Sequence, residues 1–424
     1  MNLEYKILDN GLTIINDKMN VDSSSIGVWI GSGSSKEKKN QSGIAHMLEH
    51  MAFKGTVNRS AQQIAQEIED VGGDINAYTS KEVTAYYLKV LKENTDLGID
   101  ILSDILVNPT FPEEEIERER GVIISEIGQS IDSPDDKVFE NFNSTAFKDQ
   151  SIGRSILGTK ETVSEFKKID LQEFLSANYA PQNMVIVCSG DINSDWFFKT
   201  IEEKFSHIKN NYKPNNIISK WSSGFCGEER DLEQTQLVFG IEGLKNSDID
   251  RYSLRALTII LGGGMSSRLF QEIREKKGLC YSIFAFSQIQ KTYGTLGFYA
   301  GTSPDNVDDL IDTSLKELKK IKLSLSDHEL SRAKAQMKAG FIMGQESNSA
   351  RAEYLAKCML DFGKIIKSEE VKKKIENITI NSIYQVADKL LTSPDPVLSI
   401  IGPGAGEYKK LGMSSLLKIG RAHV

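Results

Sequence analysis

Residues 42–56 have the sequence SGIAHMLEHMAFKGT, in which two histidines stand four positions apart with a glutamate between them. On an α-helix, side chains four positions apart lie on one face, about one turn from each other. His46 and His50 could therefore bind one zinc ion through ring nitrogens at about 2.0–2.1 Å. Glu49 would flank that ion and reach a water molecule beside it without binding the metal itself.

The same pattern could also arise without a metal, with His46 and His50 as hydrogen-bonded side chains of a partly buried helix. The chain contains five histidines, and short motifs of this kind also occur by chance. The residues around the motif favour the chemical interpretation. A hydrolytic zinc site then requires a third protein ligand and an open fourth position.

Residues 113–126 form a predicted acidic helix that contains the candidate third ligands. From the residues alone the choice stays open among Glu113, Glu114, Glu115, Glu117, Glu119 and Glu126. Glu119 and Glu126 are seven positions apart, which is two helical turns, so they share one face. The glutamates of the first turn suit solvent and the positive end of the helix dipole.

The composition is that of a globular protein, since 39% of the 424 residues are hydrophobic and 26% are charged. A net charge of -8 and a pI of about 5.4 argue against a dedicated nucleic-acid-binding protein. An acidic protein is compatible with a basic peptide ligand, because acidic clefts concentrate cations.

The sequence indicates a reducing compartment and no membrane anchor. The four cysteines are widely separated and form no C-x-x-C pair, which predicts reduced thiols and neither a zinc cluster nor a disulfide framework. The first residues lack the basic start and apolar run of a signal peptide. The sequence also has no apolar stretch of about 18 residues or more. We therefore expect a cytoplasmic protein of bacterial type without a membrane span.

Local patterns predict the order of the first elements. Residues 5–14 alternate around an Asn-Gly turn, which is typical of a β-hairpin. Residues 26–30 predict a strand, and residues 60–71 predict a helix that opens with a capping box. Residues 74–90 are rich in Thr, Tyr and Val and predict strands. The apolar run at residues 184–188 predicts another strand.

The sequence pattern recurs after about 210 residues. Residues 111–118 resemble residues 325–332, and residues 184–190 resemble residues 397–402. Two similar offsets favour a duplicated domain. In this alignment Glu119 and Glu126 correspond to Ala333 and Gly340, so the second copy lacks both carboxylates.

Four segments follow from the repeat and the local composition. Residues 1–206 are the predicted first domain, and residues 224–418 are the second, homologous domain without metal ligands. The polar stretch 207–223 predicts a linker, with a long surface loop inside one domain as the alternative. Residues 419–424 have the sequence IGRAHV, which equals the translation of a common sequencing adapter. We expect this tail to be non-native, with a native basic tail as the alternative, and we exclude its histidine from the site.

Residues 42–56 resemble the signature of the pitrilysin, insulin-degrading enzyme and mitochondrial processing peptidase family. The similarity is strongest to processing-peptidase β subunits and their bacterial homologues. In that family the third zinc ligand is a glutamate 76 residues after the second histidine, and Glu126 occupies that position here. A second family glutamate, seven residues earlier, supports the site and corresponds to Glu119. The resemblance implies one zinc ion per chain on His46, His50 and Glu126, with Glu49 as general base.

The resemblance also implies substrate-binding residues in the first domain. Asn76, Ala77 and Thr79 resemble the family strand that pairs with the substrate backbone, a mode of binding that tolerates varied side chains. Phe53 resembles an aromatic residue that lines the pocket beyond the scissile bond. Without the family, an ordinary edge strand and a core aromatic residue are the simpler interpretations.

Two further residues of the second domain resemble a family pair. Arg274 and Tyr281 resemble the arginine and tyrosine that hydrogen-bond the substrate near the zinc ion, with Tyr281 assisting catalysis. An arginine can donate a forked pair of hydrogen bonds to a carbonyl or carboxylate group. The alternative is a surface salt bridge at a helix end. The glycines at residues 262–264 are not followed by Gly-Lys-Ser/Thr, so they do not form a P-loop.

The resemblance implies an α+β fold with two similar duplicated domains, each a mainly antiparallel sheet packed with helices. These domains would face each other as a clam shell around a chamber. The implied function is a zinc-dependent endopeptidase that cleaves peptides or unfolded presequence-like segments, with some preference for basic residues.

Partner and alternative functions also follow from the resemblance. A chain that carries both sets of site residues predicts a homodimer, with a heterodimer containing a related inactive subunit as the alternative. A mitochondrial type of function rests on the resemblance only. One rival function is a non-catalytic or partner-dependent subunit, like the core proteins of the respiratory cytochrome bc1 complex. The other rival is a metal-dependent hydrolase that acts on a non-peptide substrate.

Overall fold

The computed structural model describes residues 2–211, 213, 217–391 and 396–410. Within them the strands are β1 (Asn2–Ile7), β2 (Thr13–Lys18), β3 (Ser23–Ile30), β4 (Asp74–Thr79), β5 (Thr84–Leu91), β6 (Met184–Gly190), β7 (Gly224–Glu228), β8 (Thr235–Glu242), β9 (Cys280–Ile289), β10 (Gly294–Thr302) and β11 (Val397–Ile401). The α-helices are α1 (Ile44–Ala52), α2 (Ala61–Glu69), α3 (Thr95–Val107), α4 (Glu113–Asp132), α5 (Pro134–Ala146), α6 (Lys160–Glu165), α7 (Lys168–Asn178), α8 (Ser194–Phe205), α9 (Arg251–Gly262), α10 (Val307–Ser324), α11 (Asp327–Gly344), α12 (Asn348–Phe362), α13 (Ser368–Glu376) and α14 (Ile380–Leu391). This mixture of helices and strands confirms the predicted α+β class.

The first sheet has six strands in the order β1-β2-β6-β3-β5-β4. All neighbouring strands are antiparallel except β2 and β6, which are parallel. The predicted hairpin is confirmed, because β1 pairs with β2 and the Leu8 N–H donates to the Leu12 carbonyl at 2.9 Å. Gly11 in this turn has a φ of +91°, a conformation that glycine adopts without strain.

The second sheet repeats the topology of the first. Its order is β7-β11-β8-β10-β9, and only β7 and β11 are parallel. These five strands correspond in order and direction to β2, β6, β3, β5 and β4. The structure therefore confirms two similar, mainly antiparallel sheets, with β4 and β9 at equivalent edges.

Each sheet belongs to one compact unit, and each unit takes one segment from the other half of the chain. Unit 1 comprises Met1–Gly128, Arg154–Asn216 and Phe341–Ile366, and unit 2 comprises Gln129–Gly153, Ile217–Gly340 and Lys367–Val424. The domain boundaries at residues 206 and 224 are inferred from the sequence repeat, and they stay a prediction. The compact units differ from those contiguous halves because α5 belongs to unit 2 and α12 belongs to unit 1.

The apolar faces of the two exchanged helices explain their positions. Val138 and Phe142 of α5 are fully buried in one core with Val238 of β8. Ala352 of α12 is fully buried in a core with Trp29 of β3. Each apolar face must be buried against some sheet, and helical periodicity alone does not say which one.

A buried ion pair fixes α12 to the first sheet. Asp17 of β2 is fully buried, and Arg351 of α12 is nearly so. The Arg351 guanidinium donates two hydrogen bonds to the Asp17 carboxylate, one of them from Nη2 to Oδ1 at 2.6 Å. The Asn348 side chain at the start of α12 donates to the Ser23 carbonyl at 3.2 Å. These polar contacts fix the position of α12 on the first sheet and add to its apolar packing.

A second charged contact organises the start of α11 in unit 2. The Glu329 carboxylate accepts hydrogen bonds from Arg268 Nε at 2.6 Å and from the Ser326 N–H at 2.9 Å. Burial alone would raise the pKa of Glu329, but the bonds from Arg268 and Ser326 lower it to about 2. Glu329 is therefore ionised at neutral pH and ties the loop before α11 to the segment that follows α9.

The remaining local predictions have different outcomes. The capping box of α2 is confirmed, because the Gln63 N–H donates to Ser60 Oγ at 3.2 Å and the Ser60 N–H donates to Gln63 Oε1 at 2.9 Å. The described residues of the stretch 207–223 contain neither helix nor strand. The predicted non-native tail lies outside the described residues. Among the described helices, none has both the length and the apolarity needed to cross a bilayer.

The buried pair predicts a large stability effect. Replacing Arg351→Ala leaves the Asp17 carboxylate buried without its partner, so we expect the free energy of unfolding to fall by about 3–5 kcal/mol. Urea denaturation with linear extrapolation measures this loss. The control is Lys6→Ala, which removes an exposed pair with Glu202 and should cost about 1 kcal/mol or less. Equal, small losses of stability in the two variants would contradict the proposed contribution of the buried Asp17–Arg351 pair.

Candidate metal centre

The nine-residue helix α1 carries both histidines of the predicted site. It begins after Gly43, which has a φ of +95°, and a Cβ atom there would lie 2.6 Å from the Leu157 carbonyl oxygen. Ile44 and Leu48 bury one side of the helix in the core of unit 1. His46 is buried as well, and most of the His50 side chain is covered one turn further along.

His46, His50 and Glu126 bring three potential metal ligands together. The Nε2 atoms of His46 and His50 lie 3.7 and 3.8 Å from Oε2 of Glu126. One ligand atom from each residue lies within 4.8 Å of the other two, and no second group of this kind occurs in the described part of the chain. A tetrahedral zinc ion at about 2.0–2.1 Å from its ligands separates them by about 3.3–3.5 Å. Two imidazoles and a carboxylate at these distances fit such an ion after small side-chain rotations.

The protonation state of His46 suits a metal ligand. Burial, with a smaller contribution from the charge of His50, lowers the pKa of His46 to about 4. The ring is therefore neutral at pH 7, and a neutral imidazole offers the lone pair that a metal binds. His46 Nδ1 is buried and has no hydrogen-bond partner among the described residues.

Glu119 orients the second histidine. Its Oε2 lies 2.8 Å from Nδ1 of His50, and its Oε1 lies 2.6 Å from Nζ of Lys54. Burial alone would raise the pKa of Glu119, but the contacts with Lys54 and His50 lower it. An ionised Glu119 accepts the Nδ1 proton of His50, which leaves Nε2 free to bind a metal. Glu119 and Glu126 thus act from one face of α4, as their spacing predicts.

Glu49 lies beside the three ligands without belonging to them. Burial raises the pKa of Glu49, the Thr79 hydroxyl and the charge of His50 oppose that rise, and the charge of Glu126 adds to it. A carboxyl group with a raised pKa exchanges protons more readily near neutral pH, as a general base must do. The geometry is therefore compatible with the role predicted for Glu49.

The predicted substrate strand is β4, at the edge of the first sheet. Among the described strands β4 pairs only with β5, so one row of its backbone groups is free of strand pairing within the described chain. Asn76 and Ala77 lie in this strand, where the Ala77 N–H donates to Asn76 Oδ1 at 2.8 Å. Thr79 ends the strand beside Glu49. The strand is thus close to the metal centre, and its role in binding substrate stays a prediction.

Phe53 follows α1 directly and packs on the core of unit 1. Its ring centroid lies 6.1 Å from that of Tyr86, and the Tyr86 hydroxyl is 3.0 Å from the hydroxyl of Tyr179. Phe53 itself is only partly buried. This position is compatible both with a core residue and with the wall of a pocket, so the predicted pocket role remains untested.

Arg274 and Tyr281 lie together in unit 2. Arg274 belongs to a π-helical segment, Phe270–Lys276, and Tyr281 belongs to β9. The guanidinium carbon of Arg274 is 4.6 Å from the ring centroid of Phe270 and 5.0 Å from that of Tyr281. Tyr281 is 77% exposed. The Arg274 guanidinium therefore contacts two aromatic rings, one of which belongs to the exposed Tyr281.

Unit 2 lacks a counterpart of the metal centre at the positions that the repeat predicts. Ala333 and Gly340 lie on α11, where Ala333 is buried. Neither residue carries an oxygen or nitrogen in its side chain. The two units thus share a sheet topology and differ in the residues that could bind a metal.

Sequence reasoning missed Lys54, the cation that pairs with Glu119. Lys54 lies four residues after His50, and the chain continues the helical turn there, because the Lys54 N–H donates to the Met51 carbonyl at 3.2 Å. The four-residue spacing therefore indicates that Lys54 lies on the same side of the helical turn as His50. A lysine just beyond a helix end is common, however, and its carboxylate partner lies 65 positions further along the chain.

Comparisons with known proteins show which sequence families the chain resembles. The sequence profile described as Insulinase (Peptidase family M16) matches residues 12–160, and the profile described as Peptidase M16 inactive domain matches residues 166–337. The first match contains His46, Glu49, His50 and Glu126. The second match begins within the first half of the chain and extends into α11 of unit 2.

Relatives and solved structures extend the similarity to nearly the whole chain. An uncharacterized zinc protease of Rickettsia felis is 40% identical over 404 residues, which are 95% of this chain and 98% of the relative. An uncharacterized zinc protease of Bacillus subtilis is 35% identical over 397 residues, which are 93% of this chain and 97% of that protein.

The crystal structure of a protease from Helicobacter pylori has a TM-score of 0.90 at 25% identity and covers 95% of this chain and 100% of its own. A Pseudomonas fluorescens structure described as a peptidase M16 inactive domain has a TM-score of 0.89 at 19% identity, covers 95% of this chain and 98% of its own, and supports the fold alone. Since a relative that is 40% identical matches along almost its entire length, the chain belongs to peptidase family M16, the insulinase family.

Proposed function

We propose that the chain is a zinc-dependent endopeptidase with one zinc ion per chain on His46, His50 and Glu126. The single observation that carries this proposal is the convergence of three ligand atoms within 4.8 Å beside Glu49. Two imidazoles and one carboxylate are a common protein ligand set for catalytic zinc and leave a fourth position open. The relatives quoted above are themselves named zinc proteases.

The ligand set decides what chemistry the site supplies. A zinc ion held by these residues supplies Lewis acidity, which polarises a carbonyl group and makes water more acidic. Glu119 keeps His50 in the tautomer that leaves Nε2 unprotonated. The low pKa of His46 keeps that ring neutral. Both histidines thus present Nε2 toward Glu126 as a potential ligand atom.

Glu49 is the proton carrier in this proposal. Its carboxylate accepts a proton from the attacking water and returns that proton to the amine that leaves when the peptide bond breaks. Burial and the nearby Glu126 charge raise its pKa, which favours holding a proton between the two steps.

The edge strand β4 is the proposed substrate-binding element. An extended peptide can add to a sheet edge through main-chain hydrogen bonds, so binding depends little on side-chain identity. Asn76, Ala77 and Thr79 would contact such a peptide, and Phe53 would contact the residue beyond the scissile bond. Peptides and unfolded segments suit this mode because folded chains have few extended segments free. The net charge of -8 favours basic substrates.

Arg274 and Tyr281 are proposed to bind the same substrate from unit 2. The two aromatic rings restrict the Arg274 guanidinium, which retains N–H groups to donate to a carbonyl or carboxylate oxygen. The exposed Tyr281 hydroxyl can donate one more hydrogen bond, to the oxygen on which negative charge develops during attack.

We propose that the active species is a homodimer, because one chain carries the metal ligands together with Arg274 and Tyr281. A heterodimer with a related inactive subunit is the alternative. A non-catalytic role in a larger assembly would leave the four residues His46, Glu49, His50 and Glu126 without a purpose.

The Glu49→Gln variant tests the proposed chemistry. We expect both the wild type and the variant to contain about one zinc ion per chain, while the variant cleaves a quenched basic peptide about 100- to 10,000-fold more slowly, because general acid–base catalysis contributes that much. Zinc content is measured by mass spectrometry of the purified protein. Glu113→Gln, an exposed glutamate at the start of α4, is the control and should cleave at the wild-type rate.

Other outcomes separate the alternatives. Zinc in both proteins with cleavage by neither would indicate a missing partner or a non-peptide substrate. A wild type that binds no zinc would overturn the proposed function and favour the non-catalytic subunit. Full activity of the purified chain alone would exclude the need for a different partner subunit.

Glu119→Ala tests the orientation of His50. We expect the zinc dissociation constant to rise by about 10- to 100-fold, because residues that orient metal ligands typically contribute that much. Competition with a chelating dye measures the constant. Glu117→Ala, on the exposed side of the same helix, should leave it unchanged. An unchanged constant in Glu119→Ala would refute the orienting role.

Arg274→Ala tests the contribution of unit 2. We expect kcat/KM to fall by about tenfold or more, because a hydrogen bond to a charged donor is worth about 1.5–3 kcal/mol, with zinc affinity unchanged. Arg251→Ala is the matched control, since the Arg251 guanidinium also lies over an aromatic ring, 4.8 Å from the centroid of Tyr252. Equal effects of the two substitutions would argue against substrate binding by Arg274.

A further inference from the structure

Glu37 is a buried carboxyl group that the proposed chemistry does not use. It follows β3 in a short segment, residues 33–37, and its exposed fraction is 4%. It is not one of the potential metal ligands. A buried carboxyl group outside the site needs another physical reason to be there.

The Glu37 carboxylate binds the start of α1. Its Oε2 accepts a hydrogen bond from the Gly43 N–H, and its Oε1 accepts one from the Ala45 N–H, each at 3.0 Å. The first N–H groups of a helix have no partners within the helix, and a negative charge is favourable there. Ala45 directly precedes His46, so this contact is one residue away from a proposed metal ligand.

The sequence explains why the cap comes from a distance. A helix usually takes its cap from the side chain of the residue before it, but Gly43 has none, and the Leu157 carbonyl leaves no room for one. Glu37, six residues earlier, supplies the missing acceptor oxygens. A longer side chain reaching from a separate segment therefore replaces the usual cap.

The same segment is bound on its other side to the turn that ends β4. The Ser34 N–H donates to the Ser80 carbonyl at 3.0 Å, and the Ser35 N–H donates to the Lys81 carbonyl at 2.8 Å. The Glu37 carbonyl accepts a hydrogen bond from Nη2 of Arg154 at 2.6 Å. Residues 33–37 thus connect the helix of the histidines with the strand proposed to bind substrate.

Keeping this carboxyl group buried is costly for the protein. Burial raises the pKa of Glu37 to about 8, although the Ala45 and Gly43 N–H groups and the charges of Arg154 and Lys81 lower it. The donors around the carboxylate offset only part of the lost hydration. A carboxyl group buried at that cost, with both oxygens bonded to the start of α1, is expected to contribute more than packing.

We propose that Glu37 is a positioning residue that holds the start of α1, and with it His46 and His50, in register with β4. This inference rests on the proposed function, because it concerns how the zinc ligands are held. Glu37 is not one of the potential metal ligands, so in this proposal it acts through its hydrogen bonds to the start of α1. Its loss should weaken zinc binding and slow cleavage while leaving the rest of the fold in place.

The test compares Glu37→Gln with the wild type in the full chain, at a pH above the Glu37 pKa of about 8, where the carboxyl group is ionised. The glutamine amide presents N–H groups where the carboxylate presents an acceptor, so one of the two bonds to α1 is lost. We expect the zinc dissociation constant, measured by chelator competition, to rise by about tenfold, at the lower end of the range for residues that support metal ligands. Thermal unfolding of the zinc-free proteins is measured in parallel.

Glu329→Gln is the matched control, because Glu329 is also a partly buried carboxylate that accepts a backbone N–H at a helix start, in unit 2. It should lower stability and leave the zinc dissociation constant unchanged. Glu37→Asp keeps the charge on a shorter side chain, and its zinc dissociation constant should lie between those of the wild type and Glu37→Gln. If Glu37→Gln does not fold, the zinc dissociation constant of Glu37→Asp is compared with that of the wild type instead.

The outcomes distinguish this inference from the proposed function. A wild type that binds zinc, with Glu37→Gln and Glu37→Asp binding it equally well, would overturn the positioning role of Glu37 alone. Weakened zinc binding in Glu329→Gln to the same extent would also overturn it, since general instability would then explain the effect. A wild type without zinc affinity would overturn the proposed function and this inference together.

Discussion

The candidate metal centre depends on the hydrogen-bond chain from Lys54 through Glu119 to His50. Because Lys54 and His50 together keep Glu119 ionised, the carboxylate accepts the Nδ1 proton and Nε2 of His50 keeps its lone pair. His46 keeps its lone pair for a different reason, because burial lowers its pKa to about 4. The helices α1 and α4 carry the two histidines and Glu119.

The two units show that one sheet topology can occur with and without carboxylates at the positions of Glu119 and Glu126. The five strands of the second sheet follow the same order and directions as five strands of the first. The helix equivalent to α4 carries Ala333 and Gly340 in place of the two carboxylates. Unit 2 carries a different polar group, Arg274, whose guanidinium contacts the rings of Phe270 and Tyr281. Fold and chemistry are thus separable, since the sheet depends on apolar alternation and the site on a few polar side chains.

Local structure was predictable from the sequence because it depends on neighbours in the chain. The first hairpin, the capping box of α2 and the shared face of Glu119 and Glu126 all follow from short spacings. The choice of Glu126 as third ligand needed the family spacing, since periodicity left several glutamates open. The exchanged positions of α5 and α12 and the contact from Glu37 to α1 were not predictable. Periodicity indicates that a face is buried but not which sheet covers it, and nothing in the sequence next to Glu37 indicates which N–H groups its carboxylate meets.

The exchange of α5 and α12 has a consequence for synthesis on the ribosome. The first sheet needs Arg351 to neutralise the buried Asp17 carboxylate, and unit 1 is complete only when the chain has been made as far as Ile366. The first half of the nascent chain therefore emerges without α12 to cover one face of the first sheet and without Arg351 to pair with Asp17. Its helix α5, meanwhile, has no sheet to cover until strands of unit 2 follow. The order of synthesis thus delays completion of the unit that carries the histidines until most of the chain has left the ribosome.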